Sequence, residues 1–195
     1  MEVVPHEKQS IDDGVGPLYH RIYSIAIRAD EVAAKRALAD LKADLNAFSP
    51  QAYARFEKVT GVRDELSAGD EFQIHLTGPW NGPVRVQSVD SDRFRLETLR
   101  SHLEAGFVVF RLIPKSAYEF VFEIESFAKS RDALVDFLYD KVPVAKLIQR
   151  SMWESFCVTF GAHMAKLAGG GAGGVSEVSV LTERRDESTG EWRTL

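Results

Sequence analysis

A chain of 195 residues is long enough for one substantial core, or for a domain with an appendage. Its hydrophobic fraction of 45% and its twelve phenylalanines need burial, which excludes an acidic disordered chain. With 24 basic residues against 29 acidic ones the net charge is −5, poor support for a nucleic-acid binder.

The elements follow in chain order. Met1 to Ser10 lacks an apolar leader, and the polar stretch to Gly16 predicts a flexible arm over residues 1–16. Leu18 to Arg28 places Tyr19, Tyr23, Ile25 and Ile27 on one face at period two, a strand. Asp30 is a helix cap, and Val32, Leu38, Leu41 and Leu45 form a helical stripe up to Phe48. Ser49-Pro50 predicts a second short helix over Gln51 to Val59.

The period then changes. Glu71 to Thr77, Val84 to Val89, Arg93 to Leu99, Phe107 to Ile113 and Tyr118 to Phe127 read as strands, with turn chemistry from Gly78 to Pro83. Alternation with one polar face predicts an antiparallel meander. Ser130 is a candidate cap for a helical region, which Pro143 breaks or kinks. From Val144 to Leu167, Ala145, Ile148, Met152, Trp153, Phe156, Phe160 and Met164 share one apolar face with Gln149 inside it. A glycine linker over 169–174 leads to a C-terminal β-hairpin over 175–195, either docked on the sheet, docked on a partner copy, or mobile.

The order predicts an α+β fold: a curved antiparallel sheet, two short helices after its first strand, and a long C-terminal helix gripped by the sheet. The central domain is expected over residues 17–168. That order resembles the START-like (SRPBCC) helix-grip superfamily. Thr98, Leu99, His102, Gly106, Phe110, Glu123, Ile124, Ser126 and Phe127 are similar to the pattern of an uncharacterised domain-of-unknown-function family within it, found in bacteria and plants. Lys146, Leu147 and Gln149 add to the likeness. Phe107 and Leu103 depart from that pattern, where the family often carries an acidic residue and a proline. The resemblance implies no established reaction; the wider superfamily implies binding of apolar ligands, transport, or in some branches cyclase chemistry.

The chemistry-bearing residues are few. His102 is suited to proton transfer or to orienting a ligand. Against that, a turn histidine beside Gly106 more often fixes strand register, Gly106 permitting positive φ or a bulge. Gln149 must find a partner on its apolar face: His102, backbone, water or a ligand head. Glu104, two residues on from His102, could pair with it, although in a loop a solvated role is more common. Glu123 and Glu125 read as outer-face residues. Cys157, the one cysteine, has no partner for a disulfide and reads as a small buried hydrophobe. The histidines lack metal-ligand spacing, and no phosphate loop or nucleophile elbow occurs.

The expected function is binding of a small apolar or amphipathic ligand between sheet and helix, with His102, Tyr118, Phe110, Phe122, Gln149, Met152, Trp153 and Phe156 as lining residues. Those aromatics could equally fill the space. The alternatives are a hydrolase- or cyclase-like enzyme using His102, and an interaction module that forms a homo-oligomer through the C-terminal hairpin. Binding carries more weight than catalysis, no metal or cofactor is expected, no run nears the ~20 apolar residues of a membrane span, and a cytoplasmic location is expected.

Overall fold

The structure, a computed structural model, describes residues 7–76, 81–133, 143–170 and 174–195. The turn expected at Gly78 to Trp80 and most of the segment ahead of Pro143 lie outside the described residues, as do the side chains of Ala145 and Ile148.

Among the described residues, one antiparallel sheet of nine strands carries the fold. The strands are β1 (Val15–Arg28), β2 (Ala54–Lys58), β3 (Glu71–Leu76), β4 (Asn81–Val89), β5 (Arg93–Thr98), β6 (Glu104–Ser116), β7 (Glu119–Ser130), β8 (Ser179–Arg185) and β9 (Trp192–Thr194). Their spatial order is β2-β3-β4-β5-β6-β7-β1-β8-β9. Helix α1 (Glu31–Ala43) follows β1, and α2 (Pro143–Leu167) packs against β1, β7 and α1. This is the helix-grip fold that the order of elements predicts. No described helix is long and apolar enough to cross a membrane.

Helix α1 starts at Asp30, whose carboxylate accepts the Ala33 N–H at 2.8 Å. It buries Ala33, Ala34, Ala37, Leu38 and Leu41, whereas Val32, expected in the stripe, is 78% exposed. The second helical segment is a single 3-10 turn at Leu45–Ala47, not a helix over Gln51 to Val59. That stretch holds β2, because Ala54 and Phe56 point inward and pairing with β3 satisfies its backbone. The Asn46 side-chain amide locks it, donating to Phe56 O at 2.7 Å and accepting from Phe56 N at 2.8 Å. Ser130, read as a helix cap, ends β7 and is buried.

The cross-strand register assigns the inward face row by row. One row runs Ile25, Phe122, Leu112, and the next Tyr23, Ile124, Phe110, Phe94. The third runs Arg21, Ser126, Val108, Leu96, Val86. The fourth runs Tyr19, Ala128, Gly106, and its two small residues leave a low floor beside the Tyr19 ring. Beyond it stand Ser130 and Glu104. The face is therefore aromatic in its middle and polar at one end.

The C-terminal hairpin extends this sheet. Strand β8 pairs with β1 from Tyr19↔Arg184 to Ser24↔Ser179, and Val175 bridges Ile27. On the outer face His20 stacks on Phe127 at 4.2 Å and lies between the Glu183 and Glu125 carboxylates, at 2.9 and 2.8 Å. Trp192 of β9 meets both rings edge-on.

Candidate functional site

The site lies where the aromatic rows give way to the polar end. Arg21 faces inward from β1 at 6% exposure, its guanidinium over the Tyr19 ring at 4.7 Å. Arg21 Nη1 donates to Glu104 Oε1 at 3.4 Å, a long bond. Gln149 Nε2, from α2, donates to Glu104 Oε2 at 3.0 Å. Glu104 thus joins helix to sheet across the floor left by Gly106 and Ala128. Tyr23, two residues along β1 on the same face, is 2% exposed. Its hydroxyl makes no hydrogen bond among the described residues, and burial pushes its pKa up to about 12, the Glu104 charge adding to the rise and Arg21 opposing it. It stays a neutral donor at ordinary pH.

The turn that carries Glu104 is itself held by a network. His102 Nδ1 lies 3.0 Å from the Glu104 N–H and 3.0 Å from its carbonyl oxygen. The ring is half-buried over Gly82, where an added Cβ would come within 2.1 Å of it. Burial lowers the His102 pKa, with the Glu104 charge opposing. The arm residue Gln9 is buried and donates to His102 O at 3.0 Å and Glu104 O at 2.9 Å. Thr98 Oγ1 donates to Gln9 O and accepts the Gly106 N–H, both at 2.8 Å. The positive φ of this turn is at Ser101, 84°, not at Gly106. Gly106 is needed for close strand approach instead, since a Cβ there would lie 2.0 Å from Phe127 O.

The expected lining residues divide four ways. Gln149 and His102 both meet Glu104, one at its carboxylate and the other at its backbone; no hydrogen bond joins them among the described residues. Phe110, Phe122 and Phe156 are fully buried and in ring contact, Phe110–Phe156 at 5.5 Å and Phe122–Phe156 at 6.5 Å. Phe94 on Phe110 at 4.6 Å and Phe160 on Phe122 at 3.9 Å extend this block, so the middle of the grip is packed. Met152 and Trp153 lie at its border, with Trp153 edge-on to Phe110 at 5.7 Å. Tyr118 is corrected: it is 73% exposed at the β6–β7 turn, the end of β6 opposite Glu104. Proximity in sequence to the alternating Phe120 and Phe122 does not place a hairpin-tip residue inside.

Arg21 and Tyr23 are site residues beyond those expected from the sequence, and Glu104, expected to be solvated or paired with His102, joins them. Arg21 is in phase with Tyr23, Ile25 and Ile27, and Glu104 with Phe110 and Leu112, so the same period-two signal reaches both. An arginine in phase with a buried face needs a partner inside.

A separate surface groove of about 500 Å³ is lined by Lys42, Lys58, Arg63, Phe72 and neighbours. Its lysines are engaged in holding loops. Lys58 Nζ donates to Val62 O at 2.7 Å and to Asp70 Oδ2 at 2.8 Å, and Lys42 Nζ to Asp90 O at 2.5 Å. The polar cluster on the inward face is the better site, because its charge is buried and its donors are not used up. No group of His, Cys, Asp and Glu able to hold a metal ion occurs among the described residues. Cys157 is buried within the core, and burial pushes its pKa up to about 12.

No protein-family model matches the chain, and no curated protein matches it. Solved structures do. The di-domain ARO/CYC StfQ from the steffimycin biosynthetic pathway aligns at a TM-score of 0.59 and 12% identity, over 82% of this chain and 53% of that one. Norcoclaurine synthase from Thalictrum flavum, in complex with dopamine and hydroxybenzaldehyde, aligns at 0.51 and 12% identity, over 86% and 96%. A protein of Thermus thermophilus, TTHA0849, aligns at 0.54 and 10% identity, over 75% and 97%. At such identities the likeness establishes the helix-grip fold alone. The narrower likeness to an uncharacterised family stands without a matching model.

Proposed function

We propose that this protein binds a small amphipathic ligand between the sheet and α2, at the polar end of the grip. The ligand's polar head lies among Arg21, Tyr23, Glu104 and Gln149, and its apolar part lies along Val108, Met152 and Trp153. Phe110, Phe122 and Phe156 form the packed back wall. His102 supports the Glu104 backbone and acts as neither acid nor base. The observation that carries this reading is buried Arg21 joined to half-buried Glu104 and Gln149 on a largely apolar inward face. Buried charge costs stability unless fully paired, so a structural role alone would favour apolar residues there. The related folds include a synthase solved with small aromatic molecules bound, which suits this reading. The lone buried thiol suits a reducing, cytoplasmic setting.

The test is an equilibrium fluorescence titration with the neutral probe N-phenyl-1-naphthylamine. Val108 lies beside the cluster and only partly buried, so Val108→Phe fills the site. Saturable binding to the native protein, weakened about tenfold by that variant while cooperative melting is retained, is the expected result. Absence of saturable binding to the native protein contradicts the reading.

A further inference from the structure

The hydrogen-bonding groups of the cluster do not balance. Glu104 uses both carboxylate oxygens, one on Arg21 and one on Gln149. The donors are in surplus. Arg21 carries five N–H groups and makes one long hydrogen bond among the described residues, at 3.4 Å. The Tyr23 hydroxyl, 2% exposed, makes none. The Trp153 indole, one helical turn beyond Gln149 and 7% exposed, also makes none among the described residues. Buried donors are almost always paired. Among the described residues the fully sealed side-chain atoms without a hydrogen bond are Arg95 Nε and Glu97 Oε2, away from this cluster. The free donors of Arg21, Tyr23 and Trp153 are not sealed in this way; they gather on the inward face of β1 and the facing turns of α2, open to a small ligand. Their charge environment is balanced, since Arg21 is offset by Glu104. A full anion would gain little net attraction and would sit against the Glu104 carboxylate, while losing its own hydration. A neutral oxygen acceptor loses little and satisfies the donors.

We infer that the ligand head is a neutral carbonyl oxygen, of a ketone, ester or amide, accepting hydrogen bonds from Tyr23 and Arg21. This rests on the binding reading above and specifies its ligand class. Tyr23 is the residue that determines head-group specificity. Its hydroxyl is kept without a protein partner so that the ligand can take it.

The test uses the full chain and three naphthalenes of similar size, read by calorimetry. Acetylnaphthalene presents a carbonyl, isopropylnaphthalene replaces it with an isosteric apolar group, and naphthoate presents an anion. The expected result is acetylnaphthalene binding about tenfold more tightly than either of the others. Tyr23→Phe should remove most of that preference and leave the isopropylnaphthalene affinity unchanged. The same variant should leave the melting temperature of the free protein unchanged or raised, because it deletes a hydroxyl that makes no hydrogen bond among the described residues. Loss of the preference with a lowered melting temperature would mark Tyr23 as structural and overturn the assignment. Equal binding of the ketone and the hydrocarbon, or tighter binding of naphthoate, overturns it while leaving the binding reading in place. Failure of all three and of N-phenyl-1-naphthylamine to bind overturns both.

Discussion

His102 and Glu104 show how one turn divides its labour. The imidazole accepts the Glu104 N–H and leans on Gly82, so the carboxylate two residues on is free to reach Arg21 and Gln149. Because burial lowers the His102 pKa from 6.5, the neutral ring is the form that the fold prefers. The unfolded chain therefore takes up this proton first. The associated stability is present above pH 6.5 and is lost as the pH falls through the lower folded value. Glu104 opposes the shift and Arg131 adds to it. Urea midpoints measured between about pH 7.5 and 5 should fall, and His102→Gln should flatten that fall. An equally steep fall in the variant would remove His102 as its source. At this scale the sequence made His102 and Gln149 visible, because each is a lone polar residue in a patterned segment. Arg21 was legible from its phase on β1 but is easily passed over, since a charge in a strand is ordinarily assigned to the wet face. The unpaired state of Tyr23 was not legible, because hydrogen-bond satisfaction depends on neighbours from distant segments.

Among the elements, the C-terminal hairpin has the clearest structural consequence. It covers the outer edge of β1, a strand of fourteen residues whose backbone would otherwise be unpaired along that side. Exposed long edges are templates for pairing with another chain. The His20 ring between Glu125 and Glu183, and Trp192 against Phe127, fix the hairpin on the outer face. Truncation before Gly169 should therefore produce self-associated species on size exclusion, larger than the loss of mass allows; a monomeric elution would show that β1 needs no cover. The hairpin's existence was legible from its alternation and turn, whereas its docking site was not, since register with a strand 150 residues away leaves no local mark. The stretch Gln51 to Val59 fails in the opposite sense. The Ser49-Pro50 pair just before it reads as a helix start, but pairing with β3 and the Asn46 clamp decide the outcome.

For the molecule as a whole, the sheet and α2 hold two different interiors. One is an aromatic block closed by Phe94, Phe110, Phe122, Phe156 and Phe160, and it fixes the helix on the sheet. The other is the polar end, where Gly106 and Ala128 keep the floor low and donors without a protein partner outnumber free acceptors among the described residues. The fold class was legible from element order and period, because burying one face of a curved sheet demands a long apolar helix. The division of the interior was not, since the same aromatic residues serve a core or a cavity and only packing separates them. The most direct measurement of the central claim is a backbone amide NMR titration of the intact protein with acetylnaphthalene. The account predicts saturable shifts concentrated at Arg21, Tyr23, Glu104, Val108, Gln149 and Trp153. Shifts centred on the groove at Lys42 and Lys58 instead, or none that saturate, would contradict it.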